Sequence, residues 1–361
     1  MSELTGRERT ELLLNHKRPD RIGLYEHFWG DTYHSWREKG KIDEGTDFTL
    51  HFGFDLCMAG GLNFAADLNY KPEVIAEDED TITTKDQNYA IMRRHKNHDT
   101  TPEHIGFTVD TREKWEELIK PNIFADPKRI NFEGYRITKK YAAEHDKYFM
   151  FSGGHVFELM HPVCGHEYML MAMIDDPEWI TDMCDTYSKA MIGMWEILFD
   201  REGFPDGFFI YEDMGYKNSP FMSPDMYKKF IMPSHKLTLD YIHSKNLKMM
   251  MHSCGFIEPL LPHMIEAGID GLQVIEIKAG MDLLRIYKDF GDKLALMGGI
   301  DVRTLYSNDR AVIDKELETK IPVVKDGFAY FLHSDHSIPK TVEYETYCYF
   351  IERGLELGKM Q

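Results

Sequence analysis

The second half of the chain alternates short apolar runs with longer amphipathic stretches, and nothing else in the sequence limits the fold as much. Strands are expected over 207–215, 248–254, 271–276, 294–301 and 328–336, with helices over 177–201, 224–246, 258–267, 282–290, 313–324 and 342–357. Units of this kind, repeating every 20 to 40 residues or so, call for a parallel sheet, because parallel strands need a long crossover between them. Three more strands are read near Leu24, Leu56 and Phe149, and eight is the number that closes a (β/α)8 TIM barrel. A doubly wound open sheet is the alternative, but no Gly-x-Gly-x-x-Gly or Walker loop opens any of the helices.

The first half departs from that rhythm. A first helix over 7–15 is broken by Lys17-Arg18-Pro19-Asp20-Arg21, and 31–60 holds a helix around Trp36. Residues 71–110 are charged and alternating, which predicts an antiparallel ribbon, with 77–80 a solvated turn. Asp110 with Glu113 predicts a helix start, and another helix follows over 132–144. The expectation is one barrel domain over 1–361 with N-terminal helical and β-ribbon excursions and an inserted charged segment around 65–145.

With 61 Asp plus Glu against 42 Lys plus Arg, the formal charge is −19, which argues against a nucleic-acid surface. Neither a signal-peptide core nor a run long enough to span a bilayer is present, so a cytoplasmic protein without a membrane partner is expected. The five cysteines are scattered and lack CxxC spacing, which speaks against both a disulfide framework and a four-cysteine zinc module.

In a barrel the strand ends ring one mouth, where ligands bind. The run Lys248-Met249-Met250-Met251-His252-Ser253-Cys254-Gly255 ends in two metal-competent side chains at i and i+2, and these project to one side of a strand. A catalytic zinc ion takes three protein ligands from nitrogen, sulfur and carboxylate oxygen. The expected site is His252, Cys254 and His336, with Glu276 the next candidate for the third position. Glu212, Asp213 and Glu276 are the expected acid–base groups. Tyr25, His27, Phe28, Trp29, Tyr211 and Phe256 are the expected substrate wall, although aromatic residues are more often core. Glu26, Asp55, Asp301, His333 and Asp335 also stand at strand ends; helix capping accounts equally well for Asp301 and Asp335. His155, Glu158 and His161 share helical spacing and are read as supporting or surface residues rather than ligands. Ser152-Gly153-Gly154 ends its strand in small residues, where backbone can approach a ligand or a helix.

His252-Ser253-Cys254-Gly255, Gly298-Gly299-Ile300-Asp301, the stretch from Ser334 through Pro339, and Arg7-Glu8-Arg9 with Pro19-Asp20-Arg21 resemble the uroporphyrinogen decarboxylase superfamily. The resemblance covers most of the chain and is strongest after Phe208. It implies a (β/α)8 barrel and one of two activities: tetrapyrrole decarboxylation, or zinc-dependent methyl transfer with corrinoid proteins. The decarboxylases carry an arginine-rich first-strand motif, where this chain has Tyr25-Glu26-His27-Phe28-Trp29-Gly30, which would repel a polycarboxylate. The methyltransferases are similar in their His-x-Cys, matched by His252 and Cys254; their third ligand is often a cysteine where this chain has Asp335-His336. The resemblance thus implies methyl transfer from a methoxylated, aromatic small molecule to a corrinoid protein. No Asp-x-His-x-x-Gly is present to ligate a cobalamin, so the corrinoid is expected on a separate partner. The rivals are a methylcorrinoid:thiol methyltransferase, a uroporphyrinogen decarboxylase and a non-catalytic ligand-binding barrel. A homodimer is compatible with the chain.

Overall fold

The computed structural model describes residues 3–97 and 102–360. The chain opens with β1 (Gly23–Leu24) and β2 (Leu56–Gly60). It then makes an excursion through β3 (Glu73–Glu77), β4 (Thr81–Lys85), β5 (Ala90–His95) and β6 (Glu103–Phe107). It returns for β7 (Tyr148–Gly154), β8 (Gly207–Tyr211), β9 (Lys248–Ser253), β10 (Gly271–Val274), β11 (Ala295–Gly298) and β12 (Tyr330–Leu332). Strands β3 to β6 form a separate four-stranded antiparallel sheet, the ribbon expected from the alternating charged stretch. Its first turn is closed by Asp78, whose carboxylate accepts from the amides of Asp80 and Thr81.

The other eight strands are parallel, in the order β1-β12-β11-β10-β9-β8-β7-β2. The two ends of that sheet meet at Asp55: its amide donates to the Leu24 carbonyl at 2.9 Å, and its carboxylate accepts from the Leu24 amide at 2.8 Å. The result is the (β/α)8 TIM-barrel fold. Only two residues of the first expected strand pair as β1, since the chain turns outward after His27 toward the helix Gly30–Glu38.

Two apolar layers arise from the period-2 geometry of strands. Leu56, Tyr148, Met150, Phe209, Met250, Ala295, Met297, Ala329 and Phe331 point into the barrel, and Leu13 and Leu14 of the helix Gly6–Leu14 plug its lower end. Their neighbours Phe149, Phe151, Phe208, Ile210, Met249, Met251, Leu272, Leu296, Tyr330 and Leu332 face outward into the helix layer. In β9, therefore, Met250 and His252 share the inner face while Met249 and Met251 serve the outer one.

The lower end is held by ions. Arg9, buried, donates to Asp20 at 2.6 Å and to Asp55 at 2.5 Å, and Arg21 donates to Asp55 at 2.8 Å. Asp55, read from sequence as one of the mouth residues, thus stands before β2 at the opposite end of the barrel.

Candidate functional site

At the upper end, β8 and β9 pair in parallel with Tyr211 opposite His252. Two residues beyond Tyr211 on the same face comes Asp213, and two beyond His252 comes Cys254, so the two chain ends carry their donors forward side by side. Just past these donors the two backbones cross in near contact. A Cβ on Gly215 would lie 2.4 Å from the Cys254 carbonyl oxygen, and one on Gly255, at φ +79°, would lie 2.3 Å from Gly215. Only glycines allow that approach. The Phe256 amide donates to the Tyr216 carbonyl beyond the crossing, at 2.8 Å.

One donor atom each from Asp213, His252 and Cys254 lie within 4.8 Å of one another. The His252 Nε2 is 3.3 Å from the Cys254 Sγ and 3.3 Å from Asp213 Oδ1. Two ligands on one tetrahedral zinc ion stand about 3.3–3.6 Å apart at ordinary bond lengths, so these separations fit an ion between them. The Cys254 amide donates to the same Asp213 oxygen at 2.7 Å, which orients the carboxylate.

A chain of hydrogen bonds decides which histidine nitrogen is bare. His333 Nδ1 pairs with the Ser334 carbonyl, which can only accept, so this nitrogen carries the proton and His333 Nε2 accepts. Gln273 Nε2, at 3.3 Å, and His27 Nδ1, at 3.1 Å, donate to it, and the Glu26 carboxyl 3.2 Å away, which burial pushes up to about 8, stands beside it in the neutral form. The Tyr211 hydroxyl then donates to His27 Nε2 at 3.2 Å. With its amide nitrogen turned to His333, Gln273 offers its oxygen to His252 Nδ1. His252 therefore keeps its proton on Nδ1 and aims the Nε2 lone pair at Asp213 and Cys254, the orientation a metal-ligating imidazole needs.

The electrostatics agree. Burial holds His27 well below the usual imidazole range and His333 down at about 3, so both are neutral. Burial also works against a charge on His252, yet Cys254 and Asp213 outweigh it and carry its pKa well above the ordinary value. The pair attracts a positive charge at Nε2. Burial pushes the Cys254 thiol up, and His252 opposes that shift.

These side chains border a cavity of about 210 Å³ lined by His27, Trp29, Tyr211, His252, Cys254, Gln273, Val274, His333, His336 and Ser337. Of the expected wall, His27, Trp29 and Tyr211 line it, and Tyr25 lies inside the barrel with its ring 5.0 Å from that of His27. Phe28 does not line it: it faces outward, among Trp36, Phe48, Phe52, Phe54 and Tyr347. Phe256 is likewise not among the lining residues, having followed the Gly255 turn away toward Gly280.

Three expected roles need correction. The donor atom found within 4.8 Å of those of His252 and Cys254 is that of Asp213, while His336, the expected third donor, lines the same cavity and stacks on Trp29 with ring centres 5.9 Å apart. Glu212 is not at the mouth. It follows Tyr211 on the strand and so faces the helix layer, fully buried, accepting from the amides of Phe157 and Glu158. Glu276 accepts from the Gly255 amide at 2.6 Å and supports the turn behind Cys254, outside the cavity lining. Asp301 caps the helix that follows it, Val302–Tyr306, whereas Asp335 caps no following helix and instead accepts from the amides of Ile277 and Val302, at the starts of two earlier helices. His155, Glu158 and His161 do not converge: His155 is buried against Thr238, while Glu158 pairs with His161 at 3.2 Å. Gln273 was absent from the expected site, and His333 was expected at the mouth without a role. The signal for Gln273 was its being the one polar side chain in the run Gly271–Val274.

Fold and site together define a parallel (β/α)8 barrel whose mouth gathers a nitrogen, a sulfur and a carboxylate donor. The chain belongs to the uroporphyrinogen decarboxylase (URO-D) family, whose model matches residues 96–355. Among solved structures, a methyltransferase from Methanosarcina mazei is similar with a TM-score of 0.67 and 14% sequence identity, over 98% of this chain and 99% of that chain. That likeness is one of fold. Comparison with curated proteins gives no match. No described helix is long and apolar enough to cross a membrane.

Proposed function

We propose that the protein is a zinc-dependent methyltransferase that moves a methyl group from a methoxylated aromatic compound to the Co(I) corrinoid of a separate protein. The observation that carries the reading is the convergence of nitrogen, sulfur and carboxylate donors on one point, with the His252 tautomer locked by Gln273. His252, Cys254 and Asp213 would hold the zinc ion and leave it one open position. When bound, zinc supplies a Lewis acid for an ether oxygen, whose poor leaving ability is the chief obstacle to the transfer. One thiolate with one carboxylate leaves such an ion more electrophilic than two thiolates would, which favours an ether over a thiol as the ligand to be activated.

In the transfer the aryl O–CH3 bond breaks, the methyl carbon passes to the reduced corrinoid, and the oxygen keeps the bonding electron pair. The chain's own residues orient the ring and exclude water. A cavity of roughly 150 Å³ binds benzene, so the space of about 210 Å³ suits one substituted ring. The Trp29–His336 stack offers it a flat wall, and Tyr211, with its hydroxyl tied to His27, offers a polar edge.

The test is incubation of the metal-loaded protein with a reduced corrinoid protein and a panel of methoxybenzenes, followed by the cobalt visible spectrum. Methylation of the corrinoid by at least one donor is expected. Turnover of a porphyrinogen without metal, and no methylation from any donor, would overturn the reading.

A further inference from the structure

Behind the mouth, on the outer face of β8, lies a second set of metal-competent side chains that the proposed reaction does not use. His155, Glu212 and His235 are each wholly buried, and one donor atom from each lies within 4.8 Å of the others. Glu212 Oε1 is 2.7 Å from His235 Nε2 and 3.7 Å from His155 Nδ1. The far nitrogen of each imidazole is held by a hydroxyl: His155 Nε2 by Thr238 at 2.8 Å, and His235 Nδ1 by Tyr227 at 2.8 Å.

The tautomer of His155 is the informative detail. Thr238 sits inside the helix Met232–Ser244 and its hydroxyl donates back to the carbonyls of Ser234 and His235, at 3.1 and 3.0 Å. Its oxygen is then an acceptor, so the His155 proton resides on Nε2. The Nδ1 atom is left as a bare lone pair, without a hydrogen-bond partner, and it faces a carboxylate oxygen. A separation of 3.7 Å is too long for a hydrogen bond and close to that of two ligands on one ion, whereas the 2.7 Å between Glu212 Oε1 and His235 Nε2 is a hydrogen bond, which an entering ion would replace by spreading those two atoms apart. A lone pair and an anionic oxygen turned toward each other in a buried place repel unless a cation stands between them.

We infer that His155 Nδ1, His235 Nε2 and one or both oxygens of Glu212 form a second, structural divalent-metal site, with zinc the ion suited to two imidazoles and a carboxylate. His235 would keep its proton on Nδ1, donating to Tyr227, and release Nε2 to the ion. With no side-chain atom open to solvent, the site has no place for a substrate. It ties the start of the helix Val156–Asp175, the helix Met232–Ser244 and the end of β8 to one point, and so fixes the backbone that presents Asp213 on the opposite face.

The experiment is refolding of the full chain with Zn2+ or Co2+, followed by metal analysis and the cobalt spectrum. The His252→Ala/Cys254→Ala variant, which removes the mouth site, is expected to retain about one ion per chain, with a cobalt spectrum free of any thiolate band. Adding His155→Phe should remove that ion. Should this triple variant fail to fold, the cobalt spectrum of the double variant still decides. A double variant that folds but refolds metal-free overturns the inference, as does metal content unchanged by His155→Phe. The two sites are distinguishable, because a wild-type protein with one ion and a Cys254-dependent thiolate band refutes this site alone. One ion kept in the double variant, without that band in the wild type, refutes the mouth site alone.

Discussion

The two ends of the barrel both carry clusters of charged and polar side chains, and they differ in what balances them. At the lower end Arg9 and Arg21 face Asp20 and Asp55, so each charge meets its opposite within the chain itself. At the upper end the lone pair of His252, the sulfur of Cys254 and the carboxylate of Asp213 all face one point and all seek a cation. The lower cluster is complete as folded and acts as a clasp, closing β1 on β2 through Asp55. The upper one would be completed by the proposed ion. Stability should therefore depend on the lower end and activity on the upper.

Four measurements can break or sharpen that division. The largest effect is expected from His252→Ala with Cys254→Ala: methyl transfer to the corrinoid should fall by about 10³-fold or more, the worth of several kcal/mol of Lewis-acid assistance, with little change in the urea midpoint. A large loss of stability instead would blur the division. Next, Arg9→Met leaves Asp20 and part of Asp55 unpaired around a side chain that is 3% exposed. It should cost about 3–5 kcal/mol in urea unfolding, while the folded fraction keeps its activity. Gln273→Leu removes the partner that sets the His252 tautomer and should weaken zinc binding about 10–100-fold in a chelator competition; unchanged affinity would free the tautomer from Gln273.

The smallest effect concerns acid. Burial works to raise the Asp20 carboxyl, but Arg9 and the Leu4 amide outweigh it and hold its pKa at about 2. A depressed carboxylate contributes stability above its unfolded pKa of about 3.9 and loses it as pH falls toward the folded value. Wild-type stability should therefore decline more steeply than that of Asp20→Asn between about pH 4 and pH 2. Parallel acid limbs for the two proteins would show that Asp20 carries none of this dependence.

A sharper contrast divides Glu212 from Asp213, adjacent carboxylates that look equivalent in the sequence. One is sealed under helices and the other reaches the mouth. Strand alternation separates them, but its phase cannot be read from β8, because Gly207–Tyr211 is apolar on both faces. The same uncertainty of phase misplaced Phe28, which leaves its strand toward the aromatic cluster around Trp36.

The sequence by itself determined the alternation of strands and helices, hence the barrel, and it paired His252 with Cys254, because residues two apart on one strand share a face whatever surrounds them. It also located the antiparallel ribbon. The third donor was a tertiary decision. Asp213 reaches the site only because β8 and β9 lie in a register that sets Tyr211 beside His252, and because Gly215 and Gly255 let the two chains cross in near contact. His252 likewise owes the bare Nε2 to Gln273 and His333 on other strands. Register and crossings between strands depend on the packing of the whole barrel, and no local pattern of residues records them.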